Sequence, residues 1–262
     1  MAAVPRAVAA LAEDGHVYRF EKGANKWTLI GDATTLYGGG CALLGITRTG
    51  TNDVDTWSPH LGWIKIGGPG SKFAVNATSV YGLSPNRDGV YKWTGDGQEW
   101  SKVGGPARDV IAGGFDTLLA TNPDSGDIYR YSSKKWDKIG GPGAEFVVDG
   151  KGHAYGVSPA RDGVWKWSGS GTAWSKVYGA PVTRIYAGGS GVFMQRADSG
   201  DIYKYQGAGE AWENVGGPGE EFVVTEDGLF GRNSAGGVWK HDSPNNWTNT
   251  NSPKVKSIVA SP

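Results

Sequence analysis

The sequence contains few of the residues that build catalytic, metal or covalent sites. Its 262 residues include a single cysteine, Cys41, and only four histidines. One cysteine excludes an intrachain disulfide and a thiolate metal cluster. The histidines show no HxxxH or HExxH spacing, and no nucleophile-elbow or phosphate-loop motif is present. We therefore predict no metal, no cofactor and no catalytic residue, and we expect a protein other than an enzyme.

Net charge and long apolar runs are also lacking. The 26 basic and 26 acidic residues give a formal net charge of zero, which argues against a nucleic-acid partner because phosphates attract a basic surface. No stretch approaches the roughly 18 apolar residues of a membrane span. The first 20 residues lack the charged start and long apolar core of a classical signal peptide. We expect a soluble protein without membrane insertion, either cytoplasmic or exported by a non-classical route.

Glycine and aromatic residues are abundant, with 44 glycines, 12 tryptophans and 11 tyrosines. Seven tryptophans recur at intervals of 36, 37, 36, 38, 38 and 35 residues, and "WIKIGGPG", "WDKIGGPG" and "WENVGGPG" show how similar their surroundings are. These repeat tryptophans are Trp27, Trp63, Trp100, Trp136, Trp174, Trp212 and Trp247. A repeat of this period points to a solenoid or a propeller.

Each unit contains four short apolar or alternating runs separated by glycine-rich turns, a pattern typical of four β-strands. The first unit lacks its opening run, while the C-terminal "KSIVASP" resembles an opening strand without a unit after it. We predict an all-β fold, a seven-bladed β-propeller with about 36 residues per blade that forms one domain over residues 1–262. The C-terminal strand should complete the N-terminal blade, and the repeat tryptophans should serve mainly as packing residues between blades.

The third strand of most units carries an aromatic–basic–aromatic triplet, with arginine and aspartate in nearby turns. Aromatic faces beside fixed polar groups suit sugars, since C–H faces stack on the rings and polar groups bond the hydroxyls. The alternative is that the aromatics pack between blades while the basic stems extend to water. The candidate carbohydrate-binding residues are Trp57, Arg87, Asp88, Trp93, Asp124, Tyr131, Arg161, Asp162, Trp167, Asp198, Tyr205 and Trp239.

The stretch "VVDGKGHAYGVSPARDGVWKW", with "VTEDGLFG" and "LAEDGHVYRF" in other units, resembles the tachylectin-2 and tectonin group of β-propeller lectins. The resemblance spans nearly the whole chain. It implies binding of glycans or glycoconjugates at repeated sites on or between blades, commonly in innate defence. Seven units and a two-blade alternation in sequence depart from that group, so the number of working sites stays open.

Two other functions remain open at this point. A protein-interaction scaffold would expose one continuous patch, and a propeller enzyme of the cyclase or lyase type would use one site in the central channel. The candidates for such a channel site are Arg108, Glu145, Arg184, Tyr186 and Glu221. A lectin is favoured because repetition adds avidity to weak sites, whereas a single catalytic site gains nothing from it. The particular sugar and the oligomeric state are not determined by the sequence.

Overall fold

A computed structural model describes residues 7–21, 23–47 and 50–262, and within them the chain is all β-structure. Seven four-stranded antiparallel sheets form a seven-bladed β-propeller, which confirms the predicted fold. Strands run from the innermost (first) to the outermost (fourth) in each blade. Blade 1 contains β28 (Val255–Ser261), β1 (Ala7–Ala12), β2 (His16–Glu21) and β3 (Lys26–Asp32); blade 2 contains β4 (Thr35–Gly38), β5 (Leu43–Ile46), β6 (Val54–Ser58) and β7 (Gly62–Gly67).

The remaining five blades follow the chain in order. Blade 3 contains β8 (Lys72–Val75), β9 (Val80–Leu83), β10 (Val90–Trp93) and β11 (Trp100–Gly104), and blade 4 contains β12 (Asp109–Gly113), β13 (Thr117–Thr121), β14 (Asp127–Ser132) and β15 (Lys135–Pro142). Blade 5 contains β16 (Glu145–Val148), β17 (Ala154–Val157), β18 (Val164–Trp167) and β19 (Trp174–Tyr178), and blade 6 contains β20 (Val182–Gly188), β21 (Gly191–Arg196), β22 (Ile202–Tyr205) and β23 (Trp212–Gly216). Blade 7 contains β24 (Glu221–Thr225), β25 (Gly228–Arg232), β26 (Val238–Ser243) and β27 (Asn246–Asn249).

The ring closes through blade 1, as the split first unit predicts. The last strand, β28, pairs antiparallel with β1, from Ala7 opposite Ser261 to Leu11 opposite Ser257. The innermost strand of blade 1 therefore comes from the opposite end of the sequence. This pairing leaves no unpartnered strand at the junction of the first and last blades.

Apolar side chains fill the spaces between blades. Seven buried clusters occupy the seven seams between neighbouring blades. The seam between blades 5 and 6, for example, contains Val164 and Val177 from one blade and Ile185 and Met194 from the next, each less than 5% exposed. Both faces of each sheet are therefore buried, which explains why apolar residues dominate the second strands.

The repeat tryptophans fasten each blade to the one before it. In blades 2 to 7 the indole Nε1 donates a hydrogen bond of 2.6–3.0 Å to a carbonyl on the fourth strand of the preceding blade. Each accepting residue is the extra residue of a β-bulge, such as Ile139 between the pairs Ile128–Gly140 and Tyr129–Lys138. A bulge frees a carbonyl from the ladder, and the indole takes it up. At the closing seam Trp27 donates instead to the Thr250 hydroxyl at 3.1 Å.

The repeat tryptophan packs on other aromatic rings in two ways, and the first of them coincides with one half of the two-blade alternation in sequence. In blades 3, 5 and 7 it packs on a first-strand phenylalanine, with ring centroids 6.0–6.1 Å apart. In blades 1, 4 and 6 it packs on the last aromatic of the third strand, at 5.0–5.2 Å. The phenylalanines require a glycine opposite them: a Cβ on Gly156 would lie 2.8 Å from the Phe146 ring.

The propeller has two distinct faces. The linkers from each fourth strand to the next first strand lie on one face, together with the loops between second and third strands; we call this the linker face. The turns within the first–second and third–fourth strand pairs lie on the other, the turn face. No helix long and apolar enough to cross a membrane occurs in the described ranges.

Candidate functional site

Four cavities of the same construction lie on the linker face in the part of the chain that the structure describes. They occur at blades 3, 4, 5 and 7, with volumes of about 290, 300, 260 and 250 Å³. These volumes stand at the lower end of the range for small-ligand sites. A small ring-shaped ligand therefore fits each cavity. We call these cavities the linker pockets.

A proline and two aromatic side chains line all four linker pockets, and a first-strand phenylalanine is a third aromatic in blades 3, 5 and 7. One aromatic is the repeat tryptophan, namely Trp100, Trp136, Trp174 or Trp247. The other is the first aromatic of the third strand, namely Tyr91, Tyr129, Trp165 or Trp239. The proline belongs to the linker, at Pro69, Pro106, Pro142 or Pro218. The repeat tryptophan thus joins blades through its indole nitrogen and offers part of its ring to the pocket.

A polar residue follows the second strand at the edge of every linker pocket. It is Ser84, Asn122, Ser158 or Asn233 in blades 3, 4, 5 and 7. The Asn122 amide oxygen accepts the backbone N–H groups of Asp124 and Ser125, both at 2.9 Å, so its amide nitrogen is the group left for a ligand. Among the residues lining the four pockets, Arg232 alone carries a formal charge. The pockets are therefore suited to uncharged ligands.

The two glycines of each linker differ in what the fold requires of them. A Cβ on the first would collide with the repeat tryptophan; on Gly140 it would lie 2.6 Å from Trp174 Nε1. A Cβ on the second would meet nothing within 4 Å at Gly68, Gly105, Gly141 or Gly217, and none of these has a positive φ. The residue before a proline prefers an extended backbone that any side chain can adopt. Packing and backbone geometry therefore leave the second glycine unexplained, and in all four blades it lines the pocket.

Of the candidate aromatics from the sequence, Trp239 lines a linker pocket, while four others lie toward the turn face. The indole nitrogens of Trp93 and Trp167 donate to Gly97 O at 3.1 Å and Gly171 O at 3.0 Å, and the Tyr205 hydroxyl donates to Gly209 O at 3.1 Å. Each bond fastens a third–fourth strand turn. Tyr131 packs on Trp136, with ring centroids 5.1 Å apart.

Trp57 of blade 2 packs at the seam with blade 1. The Arg19 guanidinium lies 5.2 Å from its ring centroid, within cation–π range. In other blades the pocket aromatic lies at the third-strand position two residues before the one that Trp57 occupies. In blade 2 that position is Asp55. Blade 2 therefore lacks the second aromatic wall.

The candidate arginines and aspartates organise loops on the linker face. Arg87 and Arg161 both have a left-handed backbone, with φ of 58°, and their guanidinium groups donate to Arg108 O at 2.7 Å and Thr183 O at 2.5 Å on the next blade. Asp88 and Asp162 each accept a hydrogen bond of 2.5 Å from the serine that begins the loop. The loops are thereby held beside the pockets.

The remaining two candidates, Asp124 and Asp198, are exposed loop residues. The Asp124 backbone N–H donates to Asn122 Oδ1 at 2.9 Å. The Asp198 carboxylate pairs with Arg196, and this contact holds the pKa of Asp198 below its usual value. Their side chains contribute to no linker pocket of blades 3, 4, 5 or 7.

Four of the channel candidates lie on the innermost strands of blades 5 to 7, namely Glu145, Arg184, Tyr186 and Glu221. Arg184 is close enough to Glu145 and Glu221 to lower the pKa of both, although burial dominates and raises both pKa values. Glu221 Oε2 accepts the Ile258 backbone N–H of the next blade at 3.0 Å, and Glu145 accepts that of Ile185 in the same way. The Tyr186 hydroxyl donates to Gln195 at 3.3 Å. The Glu221 carboxylate thus joins the innermost strands of blades 7 and 1, whereas the Tyr186 bond lies within blade 6.

The fifth channel candidate, Arg108, lies apart from them and donates to Pro123 O at 3.0 Å. The cavity at the turn-face end of the channel, about 180 Å³, has walls of glycine backbone with Glu226 as its one charged lining residue. Those glycines are needed where inner strands approach closely: a Cβ on Gly113 would lie 2.7 Å from Val148 O. In the described ranges no group of three or more His, Cys, Asp or Glu side chains is placed to hold a metal ion.

Comparison with solved structures finds the same fold in proteins of different activities. A streptogramin B lyase aligns over 95% of both chains, with 16% identity and a TM-score of 0.54. YCF48, solved with a bound D1 peptide, aligns over 95% of this chain and 84% of its own, with 15% identity and a TM-score of 0.53. Acylaminoacyl peptidase aligns over 94% of this chain but 50% of its own, with 12% identity and a TM-score of 0.64. At such identities the likeness concerns the fold alone.

Comparison with protein-family models gives no match, and neither does comparison with curated proteins. The linker pockets are therefore interpreted from their own chemistry.

Proposed function

We propose that the protein is a multivalent carbohydrate-binding lectin and that the linker pockets are its sites. The observation that carries the proposal is the second linker glycine. It recurs at Gly68, Gly105, Gly141 and Gly217, lines a pocket each time, and is required neither by packing nor by backbone conformation. A ligand that approaches the backbone closely supplies the missing reason.

The chemistry of the pockets supports a neutral sugar ring. Aromatic walls and a proline offer apolar faces to C–H groups, while asparagine and backbone groups at the edge can bond hydroxyls. Three of the four pockets carry no charged lining residue, which disfavours a phosphate or a carboxylate.

Repetition supports a binding role over a catalytic one. Several equivalent weak sites on one rigid face raise avidity by factors of about 10² or more toward a repetitive glycan surface. Such a lectin would suit recognition of microbial or other glycoconjugate surfaces in innate defence, as the resemblance to tectonin-type lectins implies.

The proposal is tested by screening the labelled full-length protein on a broad glycan array, followed by calorimetric stoichiometry with the best ligand. We expect one glycan class, bound at several sites per chain. The quadruple variant Gly68→Leu, Gly105→Leu, Gly141→Leu and Gly217→Leu should lose at least about tenfold in affinity, or about 1.4 kcal/mol, because the new side chains enter the pockets.

Gly23→Leu is the matched control. This glycine also has open space around its Cβ and no positive φ, but it lies in a turn of blade 1. Gly23→Leu should therefore bind like the parent. The proposal fails if the parent binds no glycan on the array, or if the quadruple variant is folded and binds as the parent does.

A further inference from the structure

Blade 6 has the framework of a linker pocket but a different residue at its centre. Strand pairing places Arg196, Tyr203 and Trp212 where blade 5 has Ser158, Trp165 and Trp174. Trp212 also forms the usual bond to the preceding blade, from Nε1 to Val177 O at 2.6 Å. Both aromatic walls and the loop position are thus present.

The linker into blade 6 departs from the repeat at two places: Ala180 separates its glycine from Pro181, and the first glycine is replaced. Where other linkers have the first glycine, such as Gly104, Gly140 and Gly216, this linker has Tyr178. The equivalence is exact in register, because Tyr178 pairs with Val164 as Gly140 pairs with Ile128. In the other blades that position lies directly against the repeat tryptophan.

The Tyr178 ring lies among the residues equivalent to a pocket lining. Its centroid is 6.0 Å from that of Trp212, in an edge-to-face arrangement. Arg196 and Tyr203 are close enough to act electrostatically on its hydroxyl, while burial raises the pKa of Tyr178 above its ordinary value. Tyr178 therefore packs on the counterpart of Trp174 and lies near the counterparts of Ser158 and Trp165, which line the pocket of blade 5.

We propose that blade 6 contains a closed copy of the sugar site, in which the Tyr178 side chain occupies the place of the ligand. The inference rests on the proposed lectin function and deepens it in two ways. Tyr178 is the residue that sets the number of open sites on the ring. The Tyr178 side chain, which we call the plug, is a six-membered ring with a hydroxyl at its far end. The open pockets should therefore take a ligand of the same description, a single hydroxylated six-membered ring.

Removing the plug should add a binding site. We expect Tyr178→Gly to bind one more glycan per chain than the parent in calorimetry, with the affinity of the other sites unchanged. Tyr178→Phe, which keeps the ring, should retain the parent's stoichiometry. If Tyr178→Gly is folded and its stoichiometry equals that of the parent, the plug is not in a site. If the parent itself binds no glycan, the proposed function fails instead.

A second measurement needs no glycan. The side-chain analogue p-cresol should raise the melting temperature of Tyr178→Gly more than that of the parent, because it refills the vacated pocket. An equal shift in both proteins would overturn the inference.

The reverse change covers the case in which Tyr178→Gly does not fold. Gly140→Tyr in blade 5 should reduce the stoichiometry by one, whereas Gly140→Ala, which adds a Cβ without a ring, should not. Unchanged stoichiometry in a folded Gly140→Tyr protein would also overturn the inference.

Discussion

Trp165 and Trp167 stand two residues apart on the same strand of blade 5, yet they serve different parts of the molecule. Trp165 lines a linker pocket. Trp167 is 8% exposed, packs between blades 4 and 5, and fastens a turn through Gly171 O. Residues two apart on a strand point to the same side of the sheet, so the two rings differ only in height along the blade. Residue type and alternation alone do not distinguish a site aromatic from a structural one.

The largest effect is expected at Trp174, which is both a pocket residue and a structural residue. Trp174 lines the pocket and also bonds Ile139 O at 2.7 Å. Trp174→Ala should lower the free energy of unfolding by about 3 kcal/mol or more, since a large ring and an inter-blade bond are both lost. Trp174→Phe, which loses only the bond and part of the ring, should cost less. Urea denaturation measures both, and equal losses would contradict the role given to the indole nitrogen.

The next largest effects are expected from a direct comparison of Trp165 and Trp167. Trp167→Ala should cost about 3 kcal/mol of stability, because its ring is buried, and should leave the number of binding sites unchanged. Trp165→Ala should weaken its own pocket by about 2 kcal/mol, roughly thirtyfold in Kd, with a smaller loss of stability. Parallel urea denaturation and glycan calorimetry measure the pair. Exchanged effects would reverse the assignment of the two residues.

Smaller changes in stability are expected at Gly140 and Gly141, the two glycines of the linker into blade 5. Gly140→Ala should destabilise by about 1–2 kcal/mol, because its Cβ would press on Trp174. Gly141→Ala should change stability by no more than about 0.5 kcal/mol, since open space surrounds its Cβ. Thermal unfolding of both variants gives the test. A destabilised Gly141→Ala would supply a structural reason for this glycine and weaken the lectin proposal.

The smallest effect concerns Glu221, which joins blade 7 to blade 1 and pairs with Arg232 at the edge of the blade 7 pocket. Burial raises the pKa of Glu221 in the folded state, so the protonated form is favoured there. Its contribution to stability is fully present below the unfolded pKa and is lost as the pH rises through the folded pKa. Relative to Glu221→Gln, the parent should thus become less stable as the pH rises above the ordinary glutamate pKa of about 4.3. If the parent becomes more stable relative to Glu221→Gln as the pH rises, the prediction is contradicted.

The repeat tryptophans and the orphan strand at the C-terminus predict the seven blades and their closure, because spacing and strand patterns are properties of sequence. The bulges that free Val103 or Ile139 are not visible in it, since an extra aliphatic residue on a strand resembles any other. Those bulges set the height of the pocket aromatics. Tyr91, Tyr129 and Trp165 belong to the aromatic–basic–aromatic triplets, but the predicted site residues were the other aromatics of those triplets, Trp93, Tyr131 and Trp167.

The closure of blade 1 also has a consequence in time. Strands β1, β2 and β3 precede those of the other six blades in the chain, whereas the strand that lies inside them, Val255–Ser261, follows all of those blades. The first blade therefore stays incomplete until every other blade has been translated, and the bond from Trp27 to Thr250 is among the last to form. Closure of the ring therefore requires that the strands of all the other blades have already been synthesised.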